Sequence, residues 1–466
     1  MFHISRVNRI LIAAPKSGSG KTMITCALLK CLKKRGEQVV AFKCGPDYID
    51  PMFHRKALGI PSKNLDTFFT NAKITKSLFL KDRKEDDFAV LEGVMGLFDG
   101  LGGVREEGSS YHLAKVTRTP IVLVVDAKGM GRSVVAVIAG FLAYDTENLI
   151  KGVILNRISK SYYSILKPLI EKELKIVVFG YFQEQKEIHF ESRHLGLVMP
   201  NEIQDIQLQL QKAAESLEKN VSIDGIISVG KQAEELFDNG ESIIQSTGTF
   251  LEMEDGPVIA VAKDEAFCFY YEDNIRLLEA FGAQIHFFSP LHDKEIPQNC
   301  QGILLGGGYP ELHAKQLSLN ESMKSSIRNA IDNGIPIVAE CGGFMYLHKE
   351  LTDKEGMSYP MVGAIQGKCS YEGKLVRFGY IELMEKNNNF LPVDQGIRGH
   401  EFHYFDSTSN GEDVIARKPV TRKEYICVID RSNCWLGFPH LYYPSNPEFA
   451  KSFVEKTRQY GTIGKV

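Results

Sequence analysis

The 466 residues carry 55 lysines and arginines against 58 acidic residues, a net charge of -3, and 44% of them are hydrophobic. This length supports two or three domains with packed cores, while the near-neutral charge leaves no electrostatic footprint for nucleic acid or an anionic membrane. No apolar run approaches the ~20 residues that span a bilayer, and the first apolar stretch is too short for a signal peptide, so a cytoplasmic location is expected.

In chain order, strands are expected at residues 9–14, 38–43, 88–92, 119–126, 150–156 and 175–180, where Val- and Ile-rich runs alternate with amphipathic stretches. This is the pattern of an α/β domain, a doubly wound parallel sheet covered by helices on both faces. The first run, Ile10-Leu11-Ile12-Ala13-Ala14, leads into Pro15-Lys16-Ser17-Gly18-Ser19-Gly20-Lys21-Thr22. Pro15 stands where the usual phosphate loop has its first glycine. Gly18, Ser19 and Gly20 still let backbone N–H groups approach phosphate, Lys21 reaches the outer phosphates, and Thr22 offers a hydroxyl to Mg²⁺. With a strand before and a helix after, ATP is the expected ligand. Lys16 resembles the extra lysine of deviant Walker A ATPases and reads equally well as a solvated lysine.

Two acidic clusters follow the ends of later strands, where open α/β sheets place their ligands. They are Lys43-Cys44-Gly45-Pro46-Asp47-Tyr48-Ile49-Asp50-Pro51 and Glu92-Gly93-Val94-Met95-Gly96-Leu97-Phe98-Asp99-Gly100. Hard oxygens from Thr22, Asp47 and Glu92 suit Mg²⁺, which takes few protein ligands and keeps waters. The competing reading has Asp47 and Asp99 stabilising turns through their own backbone. After a helical stretch ending near Phe237, residues 238–256 are polar and read as a linker. Pro257-Val258-Ile259-Ala260-Val261-Ala262 then opens a second strand-and-helix alternation. The expected domains are therefore 1–237 and 257–466.

In the second domain, the apolar run Ile335-Pro336-Ile337-Val338-Ala339 leads into Glu340-Cys341-Gly342-Gly343-Phe344-Met345-Tyr346. A thiol at a sharp strand-to-helix turn is placed to attack a carbonyl. The other cysteines of the nine lack metal-ligand spacing, which sets aside zinc and disulfides. Gly306-Gly307-Gly308 closes another buried run, so the N–H groups of Gly307 and Gly308 join that of Gly342 as candidates for an oxyanion hole. The base should be a histidine. His440, in Gly437-Phe438-Pro439-His440-Leu441-Tyr442, competes with His400 and His403 of Arg398-Gly399-His400-Glu401-Phe402-His403-Tyr404, a polar segment suggestive of ligand recognition.

The E-C-G-G-F elbow, the G-G-G-Y-P-E segment and the late histidine resemble class I (triad) glutamine amidotransferases of cobalamin biosynthesis. Four further segments narrow this: Gly45 to Pro51, Glu92 to Gly100, Ser192-Arg193-His194-Leu195-Gly196-Leu197-Val198, and Arg398 to Tyr404. Together they resemble the cobyrinate a,c-diamide synthase family over almost the whole chain. The resemblance implies a P-loop NTPase-like first domain similar to dethiobiotin synthetase and a flavodoxin-like amidotransferase second domain. It implies a C–N ligase in which Cys341 and His440 release ammonia from L-glutamine and ATP activates a corrin carboxylate. Thr22, Asp47 and Glu92 would hold Mg²⁺, Lys21 phosphate, and Asn156 would face adenine. Tyr48, Ile49, Asp50 and Asp99 would lie beside the tetrapyrrole carboxylate, with His400, Glu401 and His403 at the substrate or the domain junction.

Two positions depart from that pattern. Tyr442 stands where relatives show histidine or glutamate, leaving His440 to be oriented by a backbone carbonyl or by Glu401, and Gly180-Tyr181-Phe182 lacks an expected proline. Related rings, hydrogenobyrinate and nickel-sirohydrochlorin, are alternative acceptors. A dimeric switch ATPase using Lys16 is the alternative from another class, and a monomer or homodimer fits either.

Overall fold

The apolar runs of the first half form seven strands: β1 (Asn8–Ala13), β2 (Gln38–Cys44), β3 (Ser62–Leu65), β4 (Asp87–Glu92), β5 (Ile121–Asp126), β6 (Ile150–Asn156) and β7 (Val177–Phe182). They lie in one sheet in the order β3-β2-β4-β1-β5-β6-β7, every pairing parallel. The computed structural model describes residues 3–5, 7–81, 83–84, 86–184, 192–193, 196–197, 205–238 and 256–463. The chain divides into two units, 1–242 and 243–466. Residues 239–255 of the expected linker, and His194, Leu195 and Val198 of the quoted motif, lie outside the described residues.

Burial on both faces explains the near-continuous apolar strands, since a parallel sheet with helices on each side has no wet face. Every residue of β4 is buried, and only Asn8 of β1 is not. The exception is β3, Ser-Lys-Asn-Leu, an edge strand with no apolar run to announce it. The first unit is closed by an element the sequence did not announce. Leu236–Asp238, expected to end a helix, pairs antiparallel with His3–Ser5.

In the second unit the main sheet contains β8 (Val258–Ala262), β9 (Gln284–Phe288), β10 (Gly302–Leu305) and β11 (Ile337–Glu340). A second, antiparallel sheet uses β12 (Arg377–Glu385), β13 (Gly396–His403), β14 (Val414–Arg417) and β15 (Glu424–Cys427). The chain then returns to the main sheet with β16 (Ile429–Arg431) and β17 (Cys434–Gly437), and β18 (His440–Leu441) joins the antiparallel one. The main order is β9-β8-β10-β11-β17-β16, with only β16 antiparallel. Its first five members follow the flavodoxin-like order.

Alternate residues of these strands enter different cores. Ala260, Ile303, Ile337 and Ala339 pack with Phe344 on one face, while Ile259, Val261, Leu304 and Val338 pack with Trp435 and Phe449 on the other. The antiparallel sheet, ordered β15-β14-β12-β13-β18, was not anticipated as a separate layer. It places β13 beside β18 with His400 directly opposite His440.

Candidate functional site

The phosphate loop joins β1 to the helix Lys21–Lys34. Gly20 caps that helix at φ 89°, a left-handed conformation that suits glycine, and a methyl there would stand 2.3 Å from Asn156 Nδ2. Asn156, at the end of β6, donates from Nδ2 to Ser19 O at 2.8 Å and accepts from the Arg157 N–H at 2.9 Å. Its amide therefore braces the loop from beneath. Lys16 and Gly18 are exposed and Ser19 is buried. Lys21 Nζ donates to Met95 O at 2.5 Å and to Lys16 O at 3.3 Å, and burial together with Lys43 lowers it to about 8.

Thr22 Oγ1 donates to Glu92 Oε1 at 2.6 Å. The fully buried Glu92 is also met by Lys43 Nζ at 3.0 Å on Oε1 and by His54 Nε2 at 3.2 Å on Oε2. Burial alone would raise Glu92, but Lys43, then His54 and Thr22, hold it well below the usual carboxylate range. Lys43 also meets Asp50 Oδ2 at 2.5 Å; burial opposes its charge, yet Asp50 and Glu92 raise it above its ordinary value. An ionised carboxylate beside a hydroxyl is a donor set that fits a hard divalent cation. Asp47 Oδ1 accepts from the N–H groups of Ile49 and Asp50 at 2.8 and 3.1 Å, the turn-stabilising arrangement. Asp99 Oδ2 does the same for Gly96 N–H at 2.9 Å. Tyr48, Ile49 and Asp50 are buried around the short helix Ile49–Met52.

Sequence reasoning missed Lys43, His54 and Asn64. Asn64, on β3, ties the acidic loop by donating to Gly45 O at 2.9 Å and Asp47 O at 2.6 Å. The available signal was a lysine ending an otherwise apolar strand, where a charge must find a partner inside.

In the second unit β11 passes through Cys341 into the helix Gly342–Leu347. Cys341 has φ 47° and ψ -103°, a conformation costing on the order of 1–3 kcal/mol for a non-glycine residue and persisting only where packing enforces it. Its N–H donates to Gly437 O at 2.8 Å. Gly307 and Gly308 approach from the next strand end. A methyl on Gly342 would stand 3.1 Å from Gly308 N, and one on Gly307 2.4 Å from His440 Cε1. The three glycines, the thiol and the imidazole thus converge. Burial, with Glu311, pushes the Cys341 thiol up, and burial with His403 lowers His440 to about 3, so the resting pair is a neutral thiol and a neutral imidazole.

His400 stacks on His440, ring centroids 4.9 Å apart and planes 15° off parallel. His403 lies flat on Phe438 at 4.0 Å. Glu401 is taken up by the Tyr425 hydroxyl and lies 3.8 Å from Lys418 and His403 and 3.9 Å from Arg377. All three segment residues are buried and engaged within the unit.

The fold and these centres define a glutamine amidotransferase joined in one chain to a P-loop nucleotide-binding domain. Residues 10–197 match the CobQ/CobB/MinD/ParA nucleotide binding domain and residues 258–439 the CobB/CobQ-like glutamine amidotransferase domain. The chain is similar to a cobyrinate a,c-diamide synthase of Caldanaerobacter subterraneus subsp. tengcongensis, 37% identical over 97% of this chain and 98% of that one. Those of Listeria innocua (39%, covering 95% and 97%) and Clostridium acetobutylicum (39%, covering 96% and 99%) are similar to the same extent. The chain belongs to the cobyrinate a,c-diamide synthase family, and is a glutamine-dependent, amide-forming ligase. Among the described residues no helix is long and apolar enough to cross a membrane.

Proposed function

We propose that this chain uses ATP and L-glutamine to convert the a and c acetate carboxylates of cobyrinate to amides, a step of cobalamin biosynthesis. The observation that carries the reading is the presence of two chemistries in one chain: a phosphate loop whose Thr22 meets Glu92 at 2.6 Å, and an elbow thiol whose imidazole neighbour packs against Gly307. Relatives spanning nearly the full length, named for this reaction, supply the acceptor.

At the thiol centre, Cys341 Sγ passes its proton to neutral His440 while attacking the carboxamide carbon of glutamine. The C–S bond forms, and the N–H groups of Gly307, Gly308 and Gly342 hold the negative oxygen. His440 then protonates the departing nitrogen, the C–N bond breaks, ammonia leaves, and water cleaves the thioester to glutamate. At the nucleotide centre, an acceptor carboxylate oxygen attacks the γ-phosphorus of ATP, releasing ADP and giving an acyl phosphate. Ammonia attacks the acyl carbon, phosphate leaves with the C–O bonding pair, and the amide remains after loss of a proton. Activation is needed because a carboxylate oxygen is a poor leaving group.

Gly18, Ser19 and Gly20 cradle phosphate with Lys16 and Lys21, and Asn156, expected to face adenine, acts on the nucleotide through the loop by holding Ser19 O. Thr22, Asp47 and Glu92 would hold Mg²⁺, which when bound neutralises phosphate charge. Tyr48, Ile49, Asp50 and Asp99 border the acceptor; of the segment expected at the substrate or the domain junction, His400 braces His440 by stacking on its ring, whereas Glu401 and His403 are engaged with Tyr425 and Phe438. Cys341→Ala is expected to lose glutamine-dependent amidation by about 10³-fold or more and to recover it with ammonium salt. A folded Cys341→Ala that makes no amide from ammonia contradicts the two-centre scheme.

A further inference from the structure

A thiol–imidazole pair works best when a third group fixes which imidazole nitrogen faces the thiol. Tyr442, His400, Glu401 and Glu340, from the neighbouring strand ends, are candidates for that place, whereas His403, whose charge also bears on His440, lies flat on Phe438 with its Nδ1 at Phe405 O. Tyr442 turns away, its hydroxyl donating to Asp273 Oδ2 at 3.0 Å. His400 meets the face of the ring rather than a nitrogen, and its Nδ1 lies 3.2 Å from the Tyr271 hydroxyl. Glu401 follows His400 on β13, and successive strand residues point to opposite faces; its carboxylate is accordingly engaged with Tyr425, Lys418 and Arg377. Glu340 remains. Its Oε2 is 4.0 Å from His440 Nδ1, its side chain is buried, and its Oε1 accepts no hydrogen bond among the described residues.

We infer that Glu340 accepts the Nδ1–H of His440 and so keeps Nε2 turned toward the Cys341 thiol. One short strand end then supplies both the nucleophile and the group that orients its base. The gap exceeds a hydrogen bond by about 1 Å, the kind of looseness that closes when substrate arrives. As Nε2 takes the thiol proton, the charge developing on the ring faces the Glu340 carboxylate in a site with little water to screen it. Burial pushes Glu340 up to about 8, against the Leu441 N–H and the Tyr443 hydroxyl, from the segment just after His440, which favour the ionised carboxylate. Among the described residues, the other ionisable groups facing the trio are Glu311, Glu401, Cys369, His400, His403 and Tyr270.

The inference rests on the glutaminase reading above, and its test separates the two. Glutamine hydrolysis by Glu340→Gln, an isosteric change, is expected to show kcat down about a hundredfold with KM within about twofold. The rise of kcat between about pH 6 and 9 should also disappear. Iodoacetamide alkylation of Cys341, followed by peptide mass, needs no glutaminase turnover. It should slow about tenfold or more in Glu340→Gln and not slow further when the change is added to His440→Gln. A kcat within about threefold of wild type, an unchanged pH profile, or the same proportional slowing of alkylation in the His440→Gln background would overturn the assignment. Wild-type protein without glutaminase activity would instead refute the proposed function, while alkylation still decides whether Glu340 acts through His440.

Discussion

Adding one methyl group to Gly307 should disable the thiol centre without disturbing the fold. The backbone at 307 is not in the left-handed region, so alanine is free to adopt it. The added Cβ would stand 2.4 Å from His440 Cε1, against about 3.4 Å for ordinary contact, and so requires the imidazole to move by roughly 1.0 Å. His440 is buried and stacked on His400, which leaves the ring nowhere to go but out of line with Cys341. A misplacement of about 1 Å costs about 10²-fold in rate, or roughly 2.7 kcal/mol of transition-state stabilisation. Steady-state glutaminase kinetics should therefore show kcat of Gly307→Ala down about a hundredfold. Gly308→Ala is a poor substitute for this test, because its Cβ would meet the Ala266 carbonyl oxygen at 2.0 Å and disturb the backbone itself. If folded Gly307→Ala keeps kcat within about threefold of wild type, His440 is not the base or its position is not critical.

Glu92→Gln is expected to abolish ATP-dependent amidation while leaving glutamine hydrolysis intact. Because it strips one of two carboxylates from the buried Lys43, it should also lower stability on the order of 3 kcal/mol in urea unfolding. Asn156→Ala removes the donor to Ser19 O and should raise KM for ATP by about tenfold with little change in the KM for glutamine, measured by coupled ADP release. Burial raises Glu340 to about 8, above its unfolded value near 4.5, so the folded chain holds the extra proton and stability declines as pH rises between those values, by up to about 1.4 kcal/mol per unit. Glu340→Gln should match wild type at about pH 4.5 and become the more stable of the two near pH 8; parallel unfolding curves across that range would contradict this.

The parts of the molecule legible in sequence are those whose physics is local. The parallel strands announce themselves because burial on both faces demands apolar runs, and the two ligand loops because glycines follow such runs. Cys341 is readable for the same reason, its neighbours Gly342 and Gly343 marking a tight turn. What escaped depends on distant partners. Strand β3 is polar although largely buried, because Ser62 and Asn64 find their partners in His54 and in the Gly45–Asp47 loop, and the pairing of His3–Ser5 with Leu236–Asp238 joins three-residue segments more than 200 positions apart. Lys43, His54 and Glu340 read as ordinary polar residues until the fold brings Glu92 or His440 beside them. The antiparallel layer was equally hidden, although it is what sets His400 against His440.

The central claim, two amidations of one corrin driven by ATP and glutamine, is tested most directly by product mass. Cobyrinate, hydrogenobyrinate and nickel-sirohydrochlorin would be incubated side by side with the enzyme, ATP, Mg²⁺ and glutamine. The account predicts that cobyrinate gains two amide groups and that the gain requires ATP. Two amides appearing instead on one of the other rings would move the acceptor and keep the chemistry, whereas ATP hydrolysis with no amide on any ring would contradict the account.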